Sequence, residues 1–161
     1  YSIAFIENIL IGENCMKDFA ILDAAKISPK RIAFYLRSCG NLHYFAAIKP
    51  YISYFLEQNI HQAFIIVSQL NSEEQNNSAY NGYQHLFTDD CDLETYDLVI
   101  TPSFLRAEER TEHTRAVQIF HGMSDKPFTY ERDFSNYLLC LCVGQRKVDR
   151  LLQTHCKQSM K

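Results

Sequence analysis

The chain has 161 residues, of which 47% are apolar and 13% aromatic, and it carries a formal net charge of −3 at pH 7. A chain of this length can bury one hydrophobic core but hardly two, so we expect a single globular domain. The sequence contains neither an apolar run near the roughly 20 residues that cross a bilayer nor a basic-then-apolar leader, so it predicts a soluble, cytoplasmic protein.

The predicted elements alternate between strands and helices. Residues 1–30 are apolar without clear periodicity and are interpreted as an irregular or helical lead-in. Five short apolar strands follow, at residues 31–36, 63–68, 96–101, 116–120 and 137–143. Helical spacing predicts a helix over 42–59, with a kink or a helix join at Pro50, and an amphipathic helix over 145–156. The polar run 71–82 is typical of a loop or a short surface helix.

Strands that are apolar along their whole length indicate burial on both faces. The predicted fold class is therefore α/β, with a doubly wound, mainly parallel sheet of at least five strands in which 116–120 and 137–143 are both internal. In such sheets ligands bind beyond the carboxyl ends of the strands, where helix N-termini and loops converge. The candidate substrate-binding residues at these ends are Thr101 and Ser103 after the third strand, and Gly144, Gln145 and Arg146 after the fifth.

His121 comes directly after the fourth predicted strand, in the run VQIFHGMSDKPF at 117–128. A histidine at this position projects from the rim of the sheet into the expected cleft, and Gly122 permits a positive φ and a close approach of a ligand to the backbone. The alternative is a turn histidine that hydrogen-bonds a nearby carbonyl. The His-Gly pair alone does not decide between the two.

Positive charge concentrates beyond this histidine. Residues 1–125 hold 9 Lys/Arg and 16 Asp/Glu, a net charge of −7, whereas residues 126–161 hold 7 and 3, a net charge of +4. Because no long basic stripe is present, this balance argues against a nucleic-acid binder. A local excess of cations suits a phosphorylated small molecule or an anionic lipid headgroup.

The six cysteines are scattered without a CxxC pair, so neither a disulfide framework nor a zinc site is predicted. Cys140 and Cys142 alternate within one strand, and we expect both to be core residues on one face. The acidic run 89–97 is interpreted as solvated surface rather than as a magnesium site. The sequence thus predicts no metal and no cofactor.

The run AVQIFHGMSDKPF, followed by LLCLCVGQRKVDRLL, resembles the CDP-glycerol glycerophosphotransferase family, the bacterial enzymes that build teichoic-acid and related glycerol-phosphate polymers. In that family a strand runs into a His-Gly turn that is followed by a small residue and then by a Lys. The resemblance covers 31–156 in the order of elements and is specific over 116–151. The usual aromatic-His-Gly-Thr-Pro turn is replaced here, since Met123 and Ser124 follow Gly122, which indicates a divergent branch.

The resemblance implies a GT-B-type architecture of two Rossmann-like halves that face each other across a cleft. This chain is similar to the amino-terminal, acceptor-side half, which implies a fragment of a longer protein whose other half holds most of the cytidine nucleotide. The implied partners are CDP-glycerol as donor and a polymer or lipid-linked acceptor, with peripheral contact at the inner face of the cell membrane. Two alternatives stay open: a glycosyltransferase of the same architecture that uses a nucleotide sugar, and a non-catalytic acceptor-binding half.

For the glycerol-phosphate transfer that the resemblance implies, His121 is the expected general base, which takes a proton from the acceptor hydroxyl. Lys126 is expected to neutralise charge on the phosphate, the alternative being an ordinary solvated lysine. Asp125 either orients the imidazole or caps a helix beside Pro127. Gly122 and Ser124 complete the candidate substrate-binding set, and the first N–H groups of the helix that Gly144, Gln145 and Arg146 open are expected to bind an anion.

Overall fold

The computed structural model describes residues 9–11, 31–37, 42–58, 62–67, 76–88, 90–109, 111, 113–120, 130, 132, 134, 137–142 and 145–158. At its centre is a seven-stranded sheet in which every pair of neighbouring strands is parallel. The fold class predicted from the sequence, a doubly wound α/β sheet, is confirmed.

The central strands are buried along nearly their whole length, as expected for a sheet that is covered on both faces. They are β1 (Ile9–Ile11), β2 (Arg31–Leu36), β3 (Gln62–Val67), β4 (Phe87–Thr88), β5 (Leu98–Thr101), β6 (Ala116–Ile119) and β7 (Tyr137–Cys142). Helix α1 (Leu42–Gln58) connects β2 to β3, and helix α2 (Gln145–Gln158) follows β7. The described residues between β3 and β6 also form short 3-10 turns at Ser78–Tyr80, Gln84–Leu86, Leu93–Thr95 and Ala107–Glu109.

The strand order is β1-β7-β6-β5-β2-β3-β4. From β2 the chain moves outward through β3 to β4, returns to the other side of β2 to form β5, and then continues through β6 to β7. This is the order of a dinucleotide-binding sheet, with β1 added at the outer edge beside β7. The direction of winding therefore reverses between β2 and β5, and such a switch point opens a crevice at the carboxyl ends of the strands.

Each face of the sheet is covered by its own apolar cluster, because alternate strand residues point to opposite faces. One cluster joins Phe34, Ile65 and Ile100 of the sheet to Phe45, Ile48, Ile52 and Phe55 of α1, whose spacing of three and four residues places them along one helical stripe. The other cluster joins Tyr35, Val99, Cys140 and Cys142 to Val148 and Leu151 of α2. The two helices thus cover opposite faces, as the doubly wound class requires.

The predicted bounds of the five apolar strands agree with β2, β3, β5, β6 and β7 to within two residues, and β6 and β7 are internal as expected. Helix α1 runs through Pro50 as one element, although the missing N–H of that proline removes a helical hydrogen bond. The sequence analysis missed β4. It also missed β1, which forms inside the stretch interpreted as an irregular or helical lead-in and pairs with Cys140 to Cys142 of β7.

Candidate functional site at the carboxyl ends of the strands

Three neighbouring strands end close together at one edge of the sheet. β5 ends at Thr101, β6 at Ile119 and β7 at Cys142. The register pairs Thr101 with Gln118 and Ile119 with Leu141, so β6 extends one residue beyond the end of β5, and β7 one residue beyond the end of β6. The segments that follow these strands, which hold most of the predicted site residues, therefore leave the sheet from the same edge.

Six of the predicted site residues lie outside the described part of the chain: His121, Gly122, Ser124, Asp125, Lys126 and Gly144. The last described residue before His121 is Phe120. Phe120 is 4% exposed, and its N–H donates to the carbonyl of Leu141 at 2.9 Å. His121 therefore follows a residue that the sheet holds in place, between the ends of β5 and β7.

Thr101 and Ser103 are buried in a hydrogen-bonded turn. The Thr101 hydroxyl donates to the Ser103 carbonyl at 2.8 Å and accepts from the Ser103 N–H at 3.0 Å. Both residues were predicted to bind substrate from their position after β5. The two bonds occupy the Thr101 hydroxyl, so this residue fixes the shape of the turn, and Ser103 carries the hydroxyl with remaining hydrogen-bonding capacity.

Two buried polar atoms beside this turn have no hydrogen-bond partner within the described residues: Oγ of Ser103 and Oε1 of Gln118. The Gln118 side chain is 1% exposed, and its amide nitrogen donates to the Ile119 carbonyl at 3.2 Å. An unmade hydrogen bond of a buried group costs about 1–3 kcal/mol. The ends of β5 and β6 thus carry polar groups at a cost in stability, which is typical of functional sites. The sequence analysis missed Gln118, although a Gln inside an otherwise apolar strand is a visible signal.

Helix α2 follows β7 and begins with two exposed residues and one buried residue. Gln145 is exposed and donates from its side-chain amide to Asp149 at 2.8 Å. Arg146 is also exposed, whereas Lys147 is only 3% exposed. The Lys147 ammonium lies 4.9 Å from the ring centroid of Phe120 and 4.7 Å from that of Tyr130. Cations therefore gather where the positive end of the helix dipole already favours anions.

A second polar network bridges the switch point between β2 and β5. Arg37, directly after β2, donates to the carbonyl of Phe104, and its guanidinium lies 3.7 Å from a carboxylate oxygen of Glu109. The other carboxylate oxygen of Glu109 accepts a 2.5 Å hydrogen bond from the Tyr35 hydroxyl. This network ties the end of β2 to the segment that follows β5. Sequence reasoning missed it because Tyr35 and Glu109 are 74 residues apart.

Cys140 and Cys142 are buried on one face of β7, as predicted, and both thiols are free. Burial raises the pKa of Cys140, and the neighbouring Cys142 adds to that rise. Burial likewise raises the pKa of Cys142, to about 12, against the opposing influence of the Lys147 charge. Since the thiolate is the nucleophilic form, neither cysteine is suited to catalysis near neutral pH.

A cavity of about 290 Å³ lies beside Tyr35, between the segments 91–94 and 108–114. The residues that line it include four acidic ones, Asp92, Glu94, Glu108 and Glu109. Because carboxylates repel phosphate, this cavity does not suit a phosphorylated donor, whereas the basic start of α2 does. Within the described residues no group of three or more His, Cys, Asp or Glu side chains is arranged to hold a metal ion.

No family model, curated protein or solved structure matches this chain. None of the helices that the structure describes has the length and apolar character needed to cross a membrane.

Proposed function

We propose that this chain is the acceptor-side, Rossmann-like half of a transferase that moves glycerol phosphate from CDP-glycerol to a hydroxyl of a cell-surface polymer or lipid-linked acceptor. One observation supports this most strongly. β6, an internal strand, ends at Ile119 between β5 and β7, and His121 follows it in the chain after one buried residue, Phe120. The His-Gly pair thus follows a strand that ends at the carboxyl edge of the sheet, next to β5, which borders the switch point where doubly wound sheets bind their ligands.

In the proposed transfer, each candidate residue at the carboxyl edge of the sheet has a role. The acceptor hydroxyl oxygen attacks the β-phosphorus of CDP-glycerol, a new P–O bond forms, and the bond from that phosphorus to the bridging oxygen breaks, so that CMP leaves. His121 accepts the hydroxyl proton as the attack proceeds. Lys126 and Arg146 balance the negative charge that moves onto the phosphate oxygens and the leaving group.

The distribution of charge supports an anionic ligand at this edge rather than elsewhere. Arg146 is exposed in the first turn of α2, at the positive end of the helix dipole. The residues that line the cavity beside Tyr35, in contrast, include four acidic ones. A phosphorylated donor is therefore attracted to the start of α2 and repelled from the cavity.

We place the protein in the cytoplasm, in peripheral contact with the inner face of the cell membrane, where a lipid-linked acceptor is found. The net charge of +4 over residues 126–161 supports attraction to anionic headgroups. Flotation with vesicles that contain anionic lipid tests this, and we expect binding at low salt that weakens as salt rises. Equal recovery with neutral and anionic vesicles contradicts the membrane part of the proposal.

The experiment that tests the activity uses the protein as its gene encodes it, with CDP-glycerol and a set of nucleotide sugars offered as donors in separate reactions. We expect acceptor-dependent release of CMP from CDP-glycerol and no turnover of the sugars. Turnover of a nucleotide sugar alone indicates a glycosyltransferase of the same architecture. Acceptor binding without turnover of any donor indicates a non-catalytic acceptor-binding half, and both of these results refute the proposed reaction.

A further inference from the structure

Lys147 is a buried cation in the first turn of α2, between exposed and apolar neighbours. It is 3% exposed, whereas Gln145 and Arg146 before it are both exposed. Lysine is almost never buried to this extent without partners for its charge. The rings of Phe120 and Tyr130 supply two of them, with centroids 4.9 and 4.7 Å from the ammonium nitrogen.

Both rings are themselves fixed by the surrounding core. Phe120 is anchored by its N–H bond to Leu141, and its ring lies 6.0 Å from that of Phe104 and 5.7 Å from that of Phe134. Tyr130 is 4% exposed and belongs to the same cluster. The ammonium therefore joins two well-packed aromatic residues rather than two mobile surface groups.

The two rings belong to residues on either side of the segment 121–129 in the chain. Phe120 immediately precedes the segment 121–129 in the chain and Tyr130 immediately follows it, so one ammonium contacts the residues on either side of the segment that carries His121 and Lys126. We propose that Lys147 is a positioning residue, which holds Phe120 and Tyr130 together and thereby fixes the two points that bound this segment. This inference rests on the proposed function for the role of His121, but the anchoring itself does not depend on it.

A second observation places the same charge at this edge. The Lys147 ammonium opposes the rise that burial causes in the pKa of Cys142, the last residue of β7. The charge of Lys147 therefore acts on Phe120, directly after β6, and on Cys142, at the end of β7. A single side chain of α2 therefore links the helix to both strand ends that flank the candidate site.

The anchoring is tested first by hydrogen exchange, which needs no substrate. Lys147→Met keeps most of the aliphatic stem but removes the charge, and Lys147→Arg keeps the charge and its attraction to the rings. Arg150→Met removes an exposed cation from the same helix and is the matched control. We expect backbone exchange over 121–129 to accelerate at least about tenfold in Lys147→Met, with exchange over β5 unchanged, and to stay parental in Lys147→Arg and Arg150→Met.

Tyr130→Leu is a second route to the same result, because it removes one ring and leaves the ammonium in place. We expect faster exchange over 121–129 in this variant as well, by a smaller factor. If either variant accelerates exchange equally across the whole sheet, Lys147 contributes only to global stability and the proposal is overturned. Unchanged exchange over 121–129 in a folded Lys147→Met variant also overturns it.

Kinetics of the protein as its gene encodes it then tests the link to His121. In Lys147→Met we expect kcat to fall about tenfold with KM for the donor unchanged, and we expect Lys147→Arg to recover most of the loss. A Lys147→Met protein with parental kcat overturns the positioning role. If the variants show the expected changes in exchange but the parental protein transfers nothing from any donor, the proposed reaction fails and the anchoring by Lys147 stands.

Discussion

Replacing Gln118 by Met is expected to make the protein more stable, although it removes a hydrogen bond from the core. The Gln118 side chain is 1% exposed, and its Oε1 has no partner within the described residues. Removing such an unsatisfied atom gains about 1–3 kcal/mol, whereas loss of the bond from its amide nitrogen to the Ile119 carbonyl costs about 0.5–1.5 kcal/mol. Met has a similar length and no branch at Cβ, so it fits the same space with little strain.

The net expectation is a gain of about 1 kcal/mol, which for a chain of this size raises Tm by about 2–4 °C. The free energy of unfolding is measured by urea unfolding followed by circular dichroism. Gln62→Met is the control, because Gln62 is an exposed strand residue whose replacement changes stability by less than about 0.5 kcal/mol. A Gln118→Met protein that loses 1 kcal/mol or more at an unchanged m-value refutes the reasoning. It would mean that Oε1 is satisfied in solution, for example by a buried water.

Two further changes test the turn after β5 and the end of β7. Thr101→Val removes both hydrogen bonds to Ser103 and leaves the buried N–H of Ser103 without this acceptor, so we expect the free energy of unfolding in urea to fall by about 2 kcal/mol. Thr101→Ser loses only a methyl group, and we expect a fall of about 1 kcal/mol. Equal falls for the two variants contradict this interpretation of the turn. The pKa of Cys142, 9.0 when unfolded and about 12 when folded, predicts stability that is complete below pH 9 and lost between pH 9 and 12. From pH 8 to 10 under reducing conditions, the parental protein should therefore lose about 1.4 kcal/mol more than Cys142→Ala, and identical losses would show that the thiol ionises as easily in the folded state.

The sheet was predictable because its strands are continuous apolar runs bounded by polar or glycine-containing segments. RIAFYL alone gives the exact bounds of β2, and the alternation of Cys140 and Cys142 correctly places both on one buried face. β4 was not predictable in the same way. It is only the two residues Phe87 and Thr88, both half-buried at an edge, which is too short for any periodicity to appear.

The order of strands along the chain was enough to predict where the candidate site lies, but it could not predict the burial and hydrogen bonds of the side chains there. That Thr101 ends a strand is visible in the sequence, whereas the engagement of its hydroxyl by Ser103 depends on how the turn folds back. Lys147 lies one helical turn before Leu151, at the border of the apolar stripe of α2, so its burial had a weak signal. Arg37 had none, because the carboxylate that it meets comes from Glu109, far along the chain.

The central claim is that His121, at the end of β6, is the general base of a glycerol-phosphate transfer. The most direct test is the rate of acceptor-dependent CMP release from CDP-glycerol by the protein as its gene encodes it, compared between the parental chain, His121→Ala and His85→Ala, an exposed histidine outside the proposed site. We expect a fall of about 100-fold or more for His121→Ala, with an unchanged Tm, and a parental rate for His85→Ala. A well-folded His121→Ala protein that releases CMP at the parental rate contradicts the claim.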